Sequence, residues 1–164
     1  MVSIRDASLP DVSLIRSLAD QTWWPTYSPI VEKEQIQYML DFIYSEAALA
    51  AVMNDGSQHF IILSDENGPQ GFASYGKRKE DASIYKLHKL YILPNNQGKG
   101  YGKKMIDEIK TRLLTNGIHT LDLNVNRHNN AKSFYEKMGF AIILEEDVAI
   151  GPYWMNDYVM RLTF

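Results

Sequence analysis

The chain has 164 residues, 45% of them hydrophobic and 23% charged, with a net charge of −3. These are the proportions of one globular domain over residues 1–164, large enough to bury a core unaided, and the mild acidity argues against a general nucleic-acid binder. Cysteine is absent, which removes disulfides, thiolate metal sites and a cysteine nucleophile together.

The N-terminus is interrupted by charge every few residues, and the longest apolar run, Ala47 to Met53, falls far short of the ~20 residues that span a bilayer. The expectation is a soluble cytoplasmic protein with no membrane partner. Val2 to Arg5 alternates as a short strand. Ser8, Pro10 and Asp11 read as a helix start of capping-box type, followed by an apolar face of Val12, Ile15, Leu18 and Ala19. Pro25 and Pro29 are expected to break that helix. Val31 to Met53 reads as helix in one or two pieces, with Ser45 placed to cap the second. His59 to Leu63 and Gln70 to Gly76 are strands joined through the turn signal Asn67-Gly68. Ser83 to Leu93 is a longer strand stopped by Pro94.

Next comes Asn95-Asn-Gln-Gly-Lys-Gly-Tyr-Gly-Lys-Lys-Met105, with three glycines where a helix begins. Helix starts favour Ser, Thr, Asp or Asn, and glycine loses the most freedom on folding. Walker spacing is absent, and Gly98, Gly100 and Gly102 do not fit the dinucleotide fingerprint. What remains, Gln97-x-x-Gly100-x-Gly102 between strand and helix, suits a pyrophosphate. Bare amides form an anion-binding concavity, the helix start adds partial positive charge, and Lys99, Lys103 and Lys104 add cations. A plain flexible turn is the alternative. Met105, Ile106, Ile109 and Leu113 then form a helical stripe. His119 to Val125 is a strand, a short helix capped at Asn129 or Asn130 runs to Met138, and two strands close the chain. The order β-α-α-β-β-β-α-β-α-β-β is that of a mixed α/β layer fold.

The glycine loop, followed at typical spacing by Asn129-x-Ala-x-x-Phe-Tyr-Glu-Lys-Met-Gly-Phe140, resembles the GNAT family of N-acetyltransferases over nearly the whole chain. Within that family the sequence looks like the bacterial PaiA-type branch linked to polyamine acetylation. Looser matches are Gln21 to Tyr27 and Gly151 to Met160. The resemblance implies a central mixed sheet of about seven strands, splayed between the fourth and fifth, with acetyl-CoA as co-substrate. It places Leu90, Tyr91 and Ile92 beside the pantetheine arm. Gln97, Gly98, Lys99, Gly100, Tyr101, Gly102 and Lys103 fall at the pyrophosphate, and Asn129 and Tyr135 near the pantetheine and sulfur. Lys137 is either a ribose-phosphate contact or a solvated charge.

Amine attack on a thioester needs a neutral amine, and an alkylamine has a pKa near ~10.4, so its proton must go to a base or a water chain. Many relatives carry a Glu where Lys86 stands. His88 is the remaining candidate base, expected to share a strand face with Lys86, Leu90 and Ile92; it is equally readable as a structural histidine. Tyr135, as a neutral phenol, suits protonation of the leaving thiolate, and the other reading of Tyr135 is a core aromatic. Trp23, Trp24, Tyr27 and Trp154, with Glu34, Asp41 and Asp157, border the groove in this fold, either as an acceptor pocket or as core and surface. The four histidines lack ligand spacing, so no metal is expected. The acceptor is expected to be a small primary amine, with a polyamine as one form. A peptide acetyltransferase or a non-catalytic CoA-binding regulator is the alternative, and a homodimer is allowed.

Overall fold

The computed structural model describes residues 1–164. Strand β1 (Ser3–Asp6) leads through a 3₁₀ turn to α1 (Val12–Tyr27), α2 (Lys33–Tyr44) and α3 (Glu46–Asn54). Strands β2 (His59–Asp65), β3 (Gly68–Lys77) and β4 (Ile84–Ile92) follow, then α4 (Tyr101–Thr115), β5 (Thr120–Asn126), α5 (Ala131–Lys137), β6 (Ala141–Ile150) and β7 (Tyr153–Thr163). The start signal at Ser8 works through Asp11, whose Oδ2 accepts the Ser8 amide at 2.9 Å. Ser45 caps α3, its Oγ accepting the Ala48 amide at 3.1 Å, so the Val31–Met53 stretch is two helices.

Pro25 does not break α1, contrary to the expectation, but lies inside it. Pro25 and Gln21, whose carbonyl loses its helical partner, are both exposed, so water takes over that bond on the outer face. The last two strands run longer than their sequence pattern. Residues Tyr153 to Asn156 are strand, and β6 and β7 pair from Ala141↔Arg161 to Ile150↔Tyr153 around Gly151.

All seven strands join one sheet in the order β1-β2-β3-β4-β5-β7-β6. Only β4 and β5 are parallel, and they pair only from Ile84↔Thr120 to Leu87↔Leu123. Beyond that level both strands continue, but apart. The opening coincides with a bulge: Ser74 pairs with Lys89 and Tyr75 with Leu87, so His88 is the extra residue. The bulge resets the alternation of β4. Leu87, Leu90 and Ile92 all belong to the α4/α5-side core, whereas Tyr91 packs on the α1–α3 side. The expectation that Lys86, His88, Leu90 and Ile92 share one face is therefore corrected: Lys86, next to Leu87, lies on the face opposite Leu90 and Ile92, because period-two counting fails across an inserted residue.

On the α1–α3 side, the strands β4, β5 and β7 carry a polar row where the other side carries core. Lys86 pairs with Asp122, and Asp122 with Arg161. Asp122 is fully buried and clamped by Arg78 Nε at 2.8 Å and by Arg161 Nε at 2.7 Å and Nη2 at 2.9 Å. Burial alone would raise its pKa, but the hydrogen bonds from Arg161 and Arg78 outweigh burial and hold it below the usual carboxylate range. Lys89 is buried without an acid. It donates to Gln58 Oε1 at 2.6 Å and lies 5.5 Å from the ring centres of Tyr44 and Phe60. Burial, with the charge of Lys86, pushes it down to about 7.

Two outcomes follow for stability. Asp122→Ala strands two partly buried guanidinium groups and is expected to cost about 3–5 kcal/mol in urea unfolding at neutral pH. Lys89 acts with the opposite sign. Its folded pKa lies below the unfolded value, so its penalty is full below about 7 and fades as pH rises toward ~10.4. Lys89→Met is therefore expected to raise the melting temperature at pH 6 by more than at pH 10.

Candidate active site

The glycine loop links the end of β4 to the start of α4. Gly98 and Gly100 have φ of +85° and +81°, a region that residues with a Cβ avoid. A Cβ at either position would meet nothing within 4 Å, so both face open space. Gly100 is the N-cap of α4 and supplies no side-chain acceptor. The first helical bond is Lys104 N–H to the Gly100 carbonyl at 3.1 Å, which leaves the amides of Gly100, Tyr101, Gly102 and Lys103 without protein partners. Gly102 has a different reason to be bare: a Cβ there would sit 3.1 Å from Cζ of Phe134, the residue preceding Tyr135 on α5. The loop's side chains are engaged elsewhere. Lys99 Nζ donates to Asn96 Oδ1 at 2.8 Å, Tyr101 Oη to Asp65 Oδ2 at 2.7 Å and Lys103 Nζ to Asp107 Oδ2 at 2.7 Å. Gln97 and Lys137 are exposed. The loop therefore offers amides first and cations second.

Beside this loop, β4 from His88 to Ile92 has lost its β5 neighbour, so its backbone edge faces the gap, with Leu90, Tyr91 and Ile92 along it. Tyr27 at the end of α1 and Tyr91 share a hydroxyl–hydroxyl contact of 2.9 Å. Burial pushes Tyr27 up to about 12, and the Asp157 carboxylate adds to the rise. Tyr135 enters from the other face, packed against Phe134 and Phe140. Burial first, then Tyr27, raises its pKa, so it keeps its proton at any physiological pH. Tyr27 and Tyr135 belong to cores on opposite faces of the sheet, and they sense each other because the sheet is open between them. Asn129, half-buried just before α5, accepts the Ala131 amide through Oδ1 at 2.9 Å and lies beside Tyr27.

The polar row forms the other wall. Asp157 is 9% exposed, and its carboxyl is raised above the usual range by burial, against the pull of Asn124 and Lys86. Asn124 Nδ2 donates to Glu146 Oε2 at 2.9 Å and to Asp157 Oδ2 at 3.2 Å, while its Oδ1 is buried without a partner. Lys86 is half-buried, and its pKa is lowered by burial and by Arg78, with Glu146, Asp157 and Asp122 acting against that. His88 reaches the surface, yet crowding by the surrounding protein and the cations Lys86, Lys89 and Arg78 push it down to about 3. It is neutral at pH 7 and a weak base.

The aromatic residues divide. Trp23 is buried in the α1–α3 core with its ring centre 4.4 Å from Tyr27 and 5.9 Å from Tyr91, so it backs the tyrosine pair. Trp24 is half-buried against the same core. Trp154 lies on the β6–β7 hairpin, 58% exposed, tied by its carbonyl to Gln35 Nε2 at 2.9 Å. The open β4–β5 level thus collects Tyr27, Tyr91, Asn129, Tyr135 and Asp157 and leaves Trp154 outside. Sequence reading missed Asn124, whose one available signal was its place in an alternating strand.

A family model described as an acetyltransferase (GNAT) domain matches residues 27–161. An uncharacterised N-acetyltransferase of Mycobacterium tuberculosis is 28% identical over 153 residues, covering 93% of this chain and 97% of that protein. The spermidine N(1)-acetyltransferase of Thermoplasma acidophilum is 27% identical over 143 residues, covering 86% and 89%. The crystal structure of the PaiA N-acetyltransferase from Thermoplasma acidophilum in complex with coenzyme A superposes with a TM-score of 0.84 at 25% identity, covering 100% of this chain and 99% of that one. This chain belongs to the GNAT family, and its seven-stranded sheet is the GNAT fold.

The glycine geometry has a direct check. Gly100→Ala forces a Cβ into the left-handed region and is expected to cost about 1–2 kcal/mol in chemical denaturation.

Proposed function

Given membership of the GNAT family, we propose that residues 1–164 act as one N-acetyltransferase domain that moves the acetyl group of acetyl-CoA to the primary amine of a small molecule by direct attack. The observation that carries this reading is the unpaired β4 edge opening onto partnerless amides at the start of α4. Such an edge can pair with the amide-containing pantetheine arm, and Gly98 to Lys103 suit the pyrophosphate. Asn129 lies at the same opening.

In this proposal the neutral amine attacks the thioester carbonyl. The backbone near Ile92 donates to the developing oxyanion, the C–S bond breaks, and Tyr135 passes its phenolic proton to the leaving thiolate. A proton must leave the amine. His88 is held below the ordinary imidazole range by burial and by Lys86, Lys89 and Arg78, which weakens it as a base. Asp157, raised above the usual carboxylate range and facing the same opening, is the better acceptor, reached directly or through one water. His88 then serves as a neutral ring at the mouth. The Thermoplasma spermidine acetyltransferase supports an amine acceptor, and the enclosed wall of Tyr27, Tyr91 and Asp157 favours a small one over a peptide.

Three measurements follow. Gly100→Val puts a side chain where the pyrophosphate would lie and is expected to weaken acetyl-CoA binding in calorimetry; unchanged affinity would displace the loop from its role. Tyr135→Phe is expected to lower turnover about 10²-fold with little change in acetyl-CoA affinity. Asp157 must be ionised to accept a proton, so the rate should fall as pH drops through its raised pKa. Asp157→Asn should lower the rate and remove that acidic limb, whereas His88→Gln should leave the limb in place.

A further inference from the structure

Lys86 stands on the wall of the proposed acceptor site with no ion pair. The hydrogen bonds of Asp122, its nearest acid by register, are taken by Arg78 and Arg161. The remaining acids that act on Lys86, Glu146 and Asp157, are held by Asn124. A half-buried lysine with no contact carboxylate keeps its ammonium free to take an anionic partner. A second incomplete group lies on the same face. Asn124 Oδ1 is buried and accepts nothing, and its amide orientation is set by the two carboxylates that its Nδ2 must serve. Asp157, with Asn124 behind it, therefore forms an acceptor end, and Lys86 with Arg78 behind it forms a cationic end. In the sheet register Lys86 aligns with Asp122, and Asp157 with Asn126. The two ends lie four residues apart along β5, or roughly 13 Å between backbone levels, before the side chains shorten the gap.

We infer that the acceptor carries an anionic group a few bonds from its amine, as a carboxylate in an amino acid does, and that Lys86 is the residue that reads it. The ammonium lies at Asp157 before losing its proton, and the anion pairs with Lys86. A polyamine would bring a second cation against Lys86, with Arg78 behind it, and would leave Lys86 unpaired. This inference rests on the proposed N-acetyltransferase reading and concerns only the kind of amine.

The test uses matched pairs, in which each α-amino acid is compared with its own carboxamide and with spermidine. The amine of the amide is less basic and chemically easier to acetylate, so a preference for the acid must come from the site. The parent is expected to favour the acid by about tenfold or more in kcat/KM, in the range of a charge-assisted hydrogen bond. Lys86→Met should abolish that ratio while the KM for acetyl-CoA holds, and Lys86→Glu should shift preference toward spermidine. A parent that prefers amides or spermidine, or a ratio unchanged in Lys86→Met, overturns the inference while leaving amine acetylation intact. Acetyl transfer to no amine would instead count against the proposed function. In that case calorimetry of the acid and its amide against CoA-saturated parent and Lys86→Met decides. Acid-selective binding lost in the variant supports the role of Lys86, and equal or absent binding refutes it.

Discussion

Four residue pairs hold β4 to β5, and everything of functional interest follows from their stopping at Leu87↔Leu123. A parallel pair that stays zipped would bury the β4 backbone and seal the two cores from each other. Here the strands part while the outer pairings, β3 with β4 and β5 with β7, continue past the opening. The sheet therefore keeps its seven-stranded frame and still exposes one strand's hydrogen-bonding edge inside the molecule. An internal edge of this kind would be a liability at a surface. Within a cleft it is a template for an extended amide-bearing ligand.

The bulge at His88 marks the same level and explains the distribution of charge. By inserting one residue it turns Leu90 and Ile92 toward the α4/α5 core and leaves Lys89 and Tyr91 facing the helical layer of α1 to α3. Below the bulge, Lys86 faces the polar row of β5 and β7. The wall is thus polar toward the acceptor side and apolar toward the α4/α5 side, where Tyr135 keeps its proton by burial. The two titratable groups assigned to opposite proton transfers sit in environments that raise both pKa values, one from the phenol range and one from the carboxylate range. The raised phenol keeps its proton for donation, and the raised carboxyl is a stronger base than an ordinary carboxylate.

Much of this was legible in the sequence, for reasons that differ by residue. The glycines were readable because three of them at a helix start defy capping preference; Gly98 and Gly100 adopt positive φ, and Gly102 makes room for Phe134. Ser45 was readable because a cap acts locally. The failures are places where a local rule was overridden by something distant. Pro25 stays helical because solvent on the outer face satisfies the freed carbonyl. The parity of β4 fails at His88 because a bulge leaves no mark in a strand of suitable residues. Lys89 reads as an ordinary charge, and only packing shows it buried against Tyr44 and Phe60. Asn124 could not be singled out, since its meaning lies in the two carboxylates that converge on it from β6 and β7.

The central claim is that the exposed edge of β4, with the amides at the start of α4, receives acetyl-CoA. Backbone hydrogen exchange with and without saturating acetyl-CoA tests this most directly. The account predicts added protection at the amides of Leu90 to Ile92 and Gly98 to Lys103, and little change at the far end of the sheet around His59 and Arg112. Protection confined to that far end, with the β4 edge and the glycine loop exchanging as before, would contradict it.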